Sequence, residues 1–414
     1  MSKLFALEDI DGGVEGEELE ASPEVGEVAD VEADVTPEIA EVEGDAGAVD
    51  DGLGASEDLE QVEDVVADSE EEGGLTPVAA EAIRIAVESI CHRVGANPKT
   101  IYSLYATENF KSASSRKANT SIALEGIRSF LKDLWAKIKA ALTNIWDKAK
   151  AFFDKHLSSL GRVKKALESA KSKLSESSGK VKGEAYLDEA PSSLATAFAG
   201  KDDISPAVIT KYINAHASAI TAADNFAGNA DGLVTKLAAI GYTELAADTL
   251  ADGILKADEY KIGLDSAPVI GGAYIVYKFE RDRAEGTVDL TVDRDTVSET
   301  ETKLGLTVAD RSDVQGLITA TLKVINDTIK LRDKFDKSHD KVNKALAVLS
   351  KKIDAASEAT GAVADNIKKA RKTLRTIYKV LAKAPVFNQE VFALNVKLAK
   401  AVLGYTAVCL KHYK

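Results

Sequence analysis

Between Ile127 and Leu167 an apolar residue recurs every three or four positions without a break, through Leu131, Leu134, Ile138, Leu142, Ile145, Phe152 and Leu160. A strand alternates every second residue, so a stripe of this period is the face of one long α-helix. Such a helix can bury its stripe only against partners of similar length. The chain is therefore predicted to be mainly α: a long-helix bundle. Trp135 and Trp146 lie eleven positions apart, close to three turns, and share a face with Phe153 one heptad later.

The same helix is basic, with 14 Lys and Arg against 7 acids over residues 121–185. A basic amphipathic helix with tryptophans can bind a membrane surface, but here the two signs interleave as on the solvated face of a core helix.

The rest of the chain reads as helices around one β insertion. Thr76-Pro77 is a helix entry, followed by Ile83, Val87, Ile90 and Val94 at helical spacing and closed by Gly95. A short helix is predicted from Pro98 to about Glu108. Residues 111–121, "KSASSRKANTS", are small and polar and read as an exposed linker. Several shorter helices are predicted over 205–259. Near 267–308 the period changes to two, with Ala273, Ile275, Tyr277 and Phe279 on one face, then a polar turn, then Val288, Leu290 and Val292. That is a small inserted antiparallel β-hairpin, to which "TKLGLTV" can add a strand. Helical spacing returns over 311–357, and two more helices follow with Pro385 between them.

Charge divides the chain differently. Residues 1–73 hold 27 acids and a single Lys, with no aromatic residue after Phe5. A segment so poor in apolar area cannot offset its ordering entropy, so this arm is predicted to be disordered. Residues 74–125 form a helical segment and linker, and 126–414 the helical body. Residues 322–414 are the most basic part, with 20 Lys and Arg against 8 acids. No secretory signal is present at the start, and no apolar run approaches the roughly 18–20 residues of a membrane span.

The chemistry-bearing residues are sparse. Cys91 and Cys409 are far apart, and His92, His156, His216, His339 and His412 form no HxxxH or HExxH pair. No metal and no cofactor is assigned. His156 and His339 fall on apolar stripes and are expected to be hydrogen-bonded core or boundary residues. Gly271-Gly272 lacks the following residues of a nucleotide loop. With no GxSxG and no Cys–His arrangement, the chain is expected not to be an enzyme.

Residues 117–142, "KANTSIALEGIRSFLKDLWAKIKAAL", together with the acidic leader and the start "MSKLFALED", resemble the internal head, or inner-body, proteins of giant tailed phages of the phiKZ type. The resemblance implies a virion protein of the head interior, present in the host cytoplasm during assembly. It also implies an N-terminal propeptide removed by a prohead protease that cuts after glutamate, with a small residue two places earlier. On this sequence the cut falls after Glu125, with Ala123 as the small residue, Leu124 between them and Gly126 as the new N-terminus. Ala6-Leu7-Glu8, Ala55-Ser56-Glu57 and Ala166-Leu167-Glu168 fit the same pattern. The Ser-rich linker before Glu125 favours that site, because a protease can take it in extended form.

Charge agrees with such a division. Residues 1–125 hold 31 acids and 7 bases, net −24, while 126–414 hold 36 acids and 45 bases, net +9. A polyanionic propeptide can shield a cationic body from nucleic acid until it is lost. Non-specific contact with packaged DNA is expected from the densest basic cluster, Lys368, Lys369, Arg371, Lys372 and Arg375. Other head or inner-body proteins are the remaining expected partners. Two alternatives stand beside this reading: an α-helical pore-former, and a non-catalytic adaptor or scaffold that keeps its acidic arm.

Overall fold

The computed structural model describes residues 36–96, 110–177, 181, 185–198, 203–239, 259–263, 269–282, 287–296, 304–356 and 362–413. The helices among them are α1 (Thr36–Glu71), α2 (Pro77–Arg93), α3 (Ala113–Glu176), α4 (Ser192–Ala197), α5 (Pro206–Ala239), α6 (Arg311–Ala356) and α7 (Ala362–Lys411). The strands are β1 (Tyr186–Leu187), β2 (Glu259–Ile262), β3 (Ala273–Asp282), β4 (Thr287–Thr296) and β5 (Leu306–Thr307).

α3 is the long helix expected from its stripe, and every stripe residue from Ile127 to Leu167 is buried. α6 lies antiparallel to it: Asp147 of α3 meets His339, Asp154 meets Arg332, and Lys171 meets Thr319. α7 runs parallel to α3, with Trp135 against Tyr378 (ring centroids 5.5 Å apart) and Phe152 against Phe392 (5.9 Å). α5 closes the far side of α7, where Phe226 packs edge-on to Phe387 at 5.4 Å. The tryptophans belong to the core: Trp146 is fully buried and stacks on Phe335 at 4.8 Å.

α7 corrects one expectation. Pro385 does not separate two helices but sits inside one. A proline within a helix removes an N–H and leaves the carbonyl four residues back without its partner. That carbonyl belongs to Leu381, and Trp146 Nε1 donates to it at 2.9 Å. The donor from α3 replaces the bond that proline removes, so the helix continues through the core.

Part of α7, Leu374–Lys411, is also long and apolar enough to cross a membrane by length and composition, contrary to the sequence reading of the apolar runs. Most of its apolar window is buried inside the protein. Asn388, Gln389, Glu390 and Asn395 are buried along it.

The β insertion forms as expected in its hairpin and differs at its edges. β3 pairs with β4 from Ala273↔Thr296 to Asp282↔Thr287. Tyr277 is fully buried and Ile275 nearly so, while Tyr274, Val276 and Lys278 are half-buried. The third strand of this sheet is β2, at the end of a segment read as helix, and not "TKLGLTV". β5, from that stretch, pairs with β1 instead. Tyr277 anchors the sheet on the bundle, 4.7 Å from Phe387 and 5.9 Å from Phe226. α5 is one helix over Pro206–Ala239, where several shorter ones were expected. The predicted helix at 98–108 and the segment 240–258 lie outside the described residues.

The largest departure is the acidic arm. Residues 36–71, read as disordered, form α1. Alone, this segment should not be helical: it carries 14 acids and no base, and Gly44, Gly47, Gly52 and Gly54 interrupt it. Its order comes from the surface beneath it. Val42, Ala46, Val49, Leu53, Leu59 and Val66 are buried against the body. Burying a Val or Leu side chain stabilises by roughly 1.5–3 kcal/mol, and helices gain most of their stability from such packing.

Candidate processing site and arm interface

The expected cleavage site lies within α3. Ala123 is fully buried, Leu124 is 5% exposed, Glu125 faces solvent and Gly126 is half-buried. The Ser-rich stretch before it is not an extended linker, since α3 begins at Ala113. The turn after α1 explains why. Gly74, at φ 103°, brings that turn so close that a Cβ there would stand 2.5 Å from the backbone of Arg116. Next to it, Leu75 N–H donates to Thr120 Oγ1 at 2.8 Å, and Thr120 Oγ1 donates to Arg116 O at 2.8 Å. These contacts hold the small polar residues in helical form.

A protease reads extended backbone, so a cut after Glu125 requires α3 to unwind there. Ala166-Leu167-Glu168 lies in the same helix and Ala55-Ser56-Glu57 in α1, while Ala6-Leu7-Glu8 lies outside the described residues. Local extension therefore does not single out Glu125 in the folded chain.

The arm helix lies antiparallel along α3 with its carboxylates matched to cations of the body. Glu38 accepts from Lys155 (2.6 Å) and meets His156 (3.0 Å). Glu41 and Asp45 both accept from Lys148, at 2.6 and 2.7 Å. At the other end of α1, Glu63 accepts from Arg128 at 2.8 Å. Midway, the Cβ position of Gly52 lies 3.0 Å from the Ile138 side chain, close enough for the two helix backbones to approach.

Against α7 the pairs are drier. Asp50 faces Lys383 at 3.3 Å, and Glu60 pairs with Arg375 and, at 3.6 Å, with Arg371. Arg375 Nε also donates to Ser56 Oγ at 3.2 Å. β4 contributes Arg294, which donates to Glu43 of α1 (2.7 Å) and to Glu390 of α7 (2.6 Å).

Burial pushes the Glu60 and Asp50 carboxyls up, against the pull of their cations. At Glu38 burial also raises, but the hydrogen bonds from Lys155 and His156 outweigh it and hold the carboxyl below its usual range.

The basic cluster expected to meet DNA is thus divided. Arg375 is buried under α1, Arg371 is half-buried with both Glu60 and Glu63 near it, and Lys372 is half-buried. The side chains of Lys368 and Lys369 lie outside the described residues. The cations nearest the arm that sequence reading passed over are Arg128, Lys148, Lys155, Arg294 and Lys383, which are scattered through the sequence. Charge counting finds an excess but not a register.

A second polar feature was also invisible in the sequence. His216 is fully buried, accepts from Ile270 N–H at Nε2 (3.0 Å) and meets Asn395 Oδ1 through Nδ1 at 2.8 Å. Asn395 Nδ2 donates to Thr328 Oγ1 at 2.8 Å, which donates to Val324 O at 2.8 Å. The bonds are consistent with a neutral ring protonated at Nδ1, and burial drives its pKa down to about 4. His156 and His339 are hydrogen-bonded at the edge of the core, as their positions on the stripes suggested. Among the described residues no group of His, Cys, Asp and Glu could hold a metal ion. Both cysteines are free and buried.

The model for phiKZ-like phage internal head proteins aligns with residues 17–408. The chain belongs to that family. It is therefore a structural protein of the virion, placed in the interior of the phage head among the other head proteins. No curated protein and no solved structure matches the chain. The matched span includes α1.

Proposed function

We propose that this internal head protein is made with its own counter-charge, and that a prohead protease removes residues 1–125 by cutting after Glu125. The body, net +9, then lies with the packaged genome and contacts DNA phosphates non-specifically. It acts as a packing protein without catalysis. The observation that carries this reading is the seating of α1: its carboxylates occupy Arg371, Arg375, Lys148, Lys155 and Arg128, cations that could otherwise meet phosphate.

The helical state of the Glu125 region supports a timed cut. A site that must unwind is protected while the arm is docked, so processing waits for a state in which the start of α3 opens.

N-terminal sequencing of the protein from purified virions tests the cut, with Gly126 expected as the first residue. A virion chain that retains "GLTPVAAEAIR" overturns the Glu125 assignment. Full-length mass in virions would favour an adaptor that keeps its arm. Mobility shift at low and moderate salt tests the DNA role. Virion-derived protein should shift duplex DNA with a steep salt dependence, and the precursor should not; equal binding by both would show that α1 is no charge mask.

A further inference from the structure

The seat of α1 has two chemistries in one place, and the difference matters for what can occupy it. Its rim is cationic, through Lys155, Lys148, Arg128, Arg371, Arg375 and Lys383. Its floor is apolar: Val42, Val49, Leu53, Leu59 and Val66 of α1, each 2% exposed or less, join one hydrophobic core with residues of α3 and α7, and Gly52 sits directly over Ile138. A bare polyanion satisfies only the rim. An acidic amphipathic helix satisfies both.

We propose that the groove between α3 and α7 is a receptor for an acidic amphipathic helix, and that α1 of this chain is its occupant even when no longer covalently attached. A chain severed after Glu125, or anywhere between α2 and that point, keeps its arm as a non-covalent subunit, because the cations of the hold begin at Arg128. The pairs span α1 from Glu38 to Glu63, about seven turns, and the apolar contacts run the same length. Nothing in this hold passes through the peptide bond that a protease would cut. Unmasking the body therefore takes two events, severance and then unfolding or destruction of α1. DNA alone does not displace the arm, because phosphate cannot replace the apolar side chains on the floor.

This rests on the reading that the arm is severed during head maturation, yet its test does not need the natural cut. A site-specific protease sequence inserted between Lys99 and Thr100 of the full chain supplies the severance. After digestion in 0.1 M salt, residues 1–99 and the remainder should co-elute on size exclusion at micromolar concentration. Separation under those conditions overturns the proposal, whatever virion sequencing shows.

Two further arms sharpen it. A fluorescent peptide of residues 36–71 should exchange into the severed complex, while a duplex of about 20 base pairs in excess should leave the arm bound; release by the duplex overturns the claim of selectivity. The severed Leu53→Asp variant should lose its arm, and a Glu60→Gln, Glu63→Gln variant, which spares the floor, should hold it at least tenfold more weakly. Retention unchanged in both variants would place the hold elsewhere and overturn the assignment of the groove.

Discussion

The surface under α1 and the core around Pro385 bury helices by opposite means. Under α1, carboxylates meet lysines and arginines along the edges of a narrow apolar strip, and the most deeply buried pairing is ionic, Glu60 with Arg375. Around Pro385 the aromatics Trp146, Phe153, Phe335 and Phe392 pack on one another, and most polar bonds are between neutral groups, from Trp146 to Leu381 O and along His216, Asn395 and Thr328, with Glu390 and Arg294 the ionic exception. The first kind of contact answers to salt and to loss of charge. The second answers to volume and to unmet hydrogen bonds. One molecule thus carries two kinds of helix contact, an aromatic core with neutral hydrogen bonds and a charged seat with an apolar strip.

The sharpest break of this contrast is Trp146→Asp. It removes a large aromatic and buries a charge, and should cost about 5 kcal/mol; thermal denaturation should show the whole bundle destabilised. A melting curve that does not move would put Trp146 outside the core. Trp146→Phe is milder: it keeps the ring but leaves Leu381 O without a donor, for about 1–3 kcal/mol.

Next comes Glu60→Ala, which leaves the Arg375 guanidinium buried without its carboxylate. Removing one partner of a buried pair costs about 3–5 kcal/mol. Hydrogen exchange should locate that loss in α1, with α3 and α7 protected as before. Equal deprotection of α7 would mean that arm and core are a single cooperative unit.

His216 tests the core by pH. Its folded pKa, about 4, lies below the ordinary 6.5. The unfolded ring takes up a proton first, so this stabilisation is complete above pH 6.5 and is lost as pH falls towards 4, about 3 kcal/mol in all. Denaturant titrations at pH 7 and 4 should lose that slope in a His216→Gln variant. The smallest effect is expected at Glu41→Gln: its pair with Lys148 is exposed and should contribute about 0.5 kcal/mol or less, measurable only as slightly faster exchange in the first turns of α1.

The sequence shows most clearly what repeats. The α3 stripe, the α6 stripe and the alternation of β3 each restate one period many times, so burial of Ile127 through Leu167 and of Tyr277 could be read directly. Thr76 and Pro77 were equally legible because a cap is local, and Thr76 Oγ1 does accept from Ala79 N–H. What could not be read was decided by a distant partner. Pro385 looks like a boundary until Trp146 supplies the missing donor from 235 residues away. α1 looks disordered because its own composition cannot hold a helix, and its partners lie in α3, β4 and α7. "KSASSRKANTS" looks like a linker because nothing in it reveals the turn at Gly74. At the candidate site, Ala123 to Gly126 were named from a motif, but the helix that encloses them was not.

The 64 residues of α3 have a further consequence. At 1.5 Å per residue the helix is about 96 Å long, whereas a compact sphere of 414 residues would be only about 55 Å across. The whole chain is accordingly elongated, braced lengthwise along α3 by α6 and α7. Rods crowded into a closed volume lose less free space when they lie side by side than when they cross. Copies confined inside a head should then align with one another, giving their assembly a grain direction.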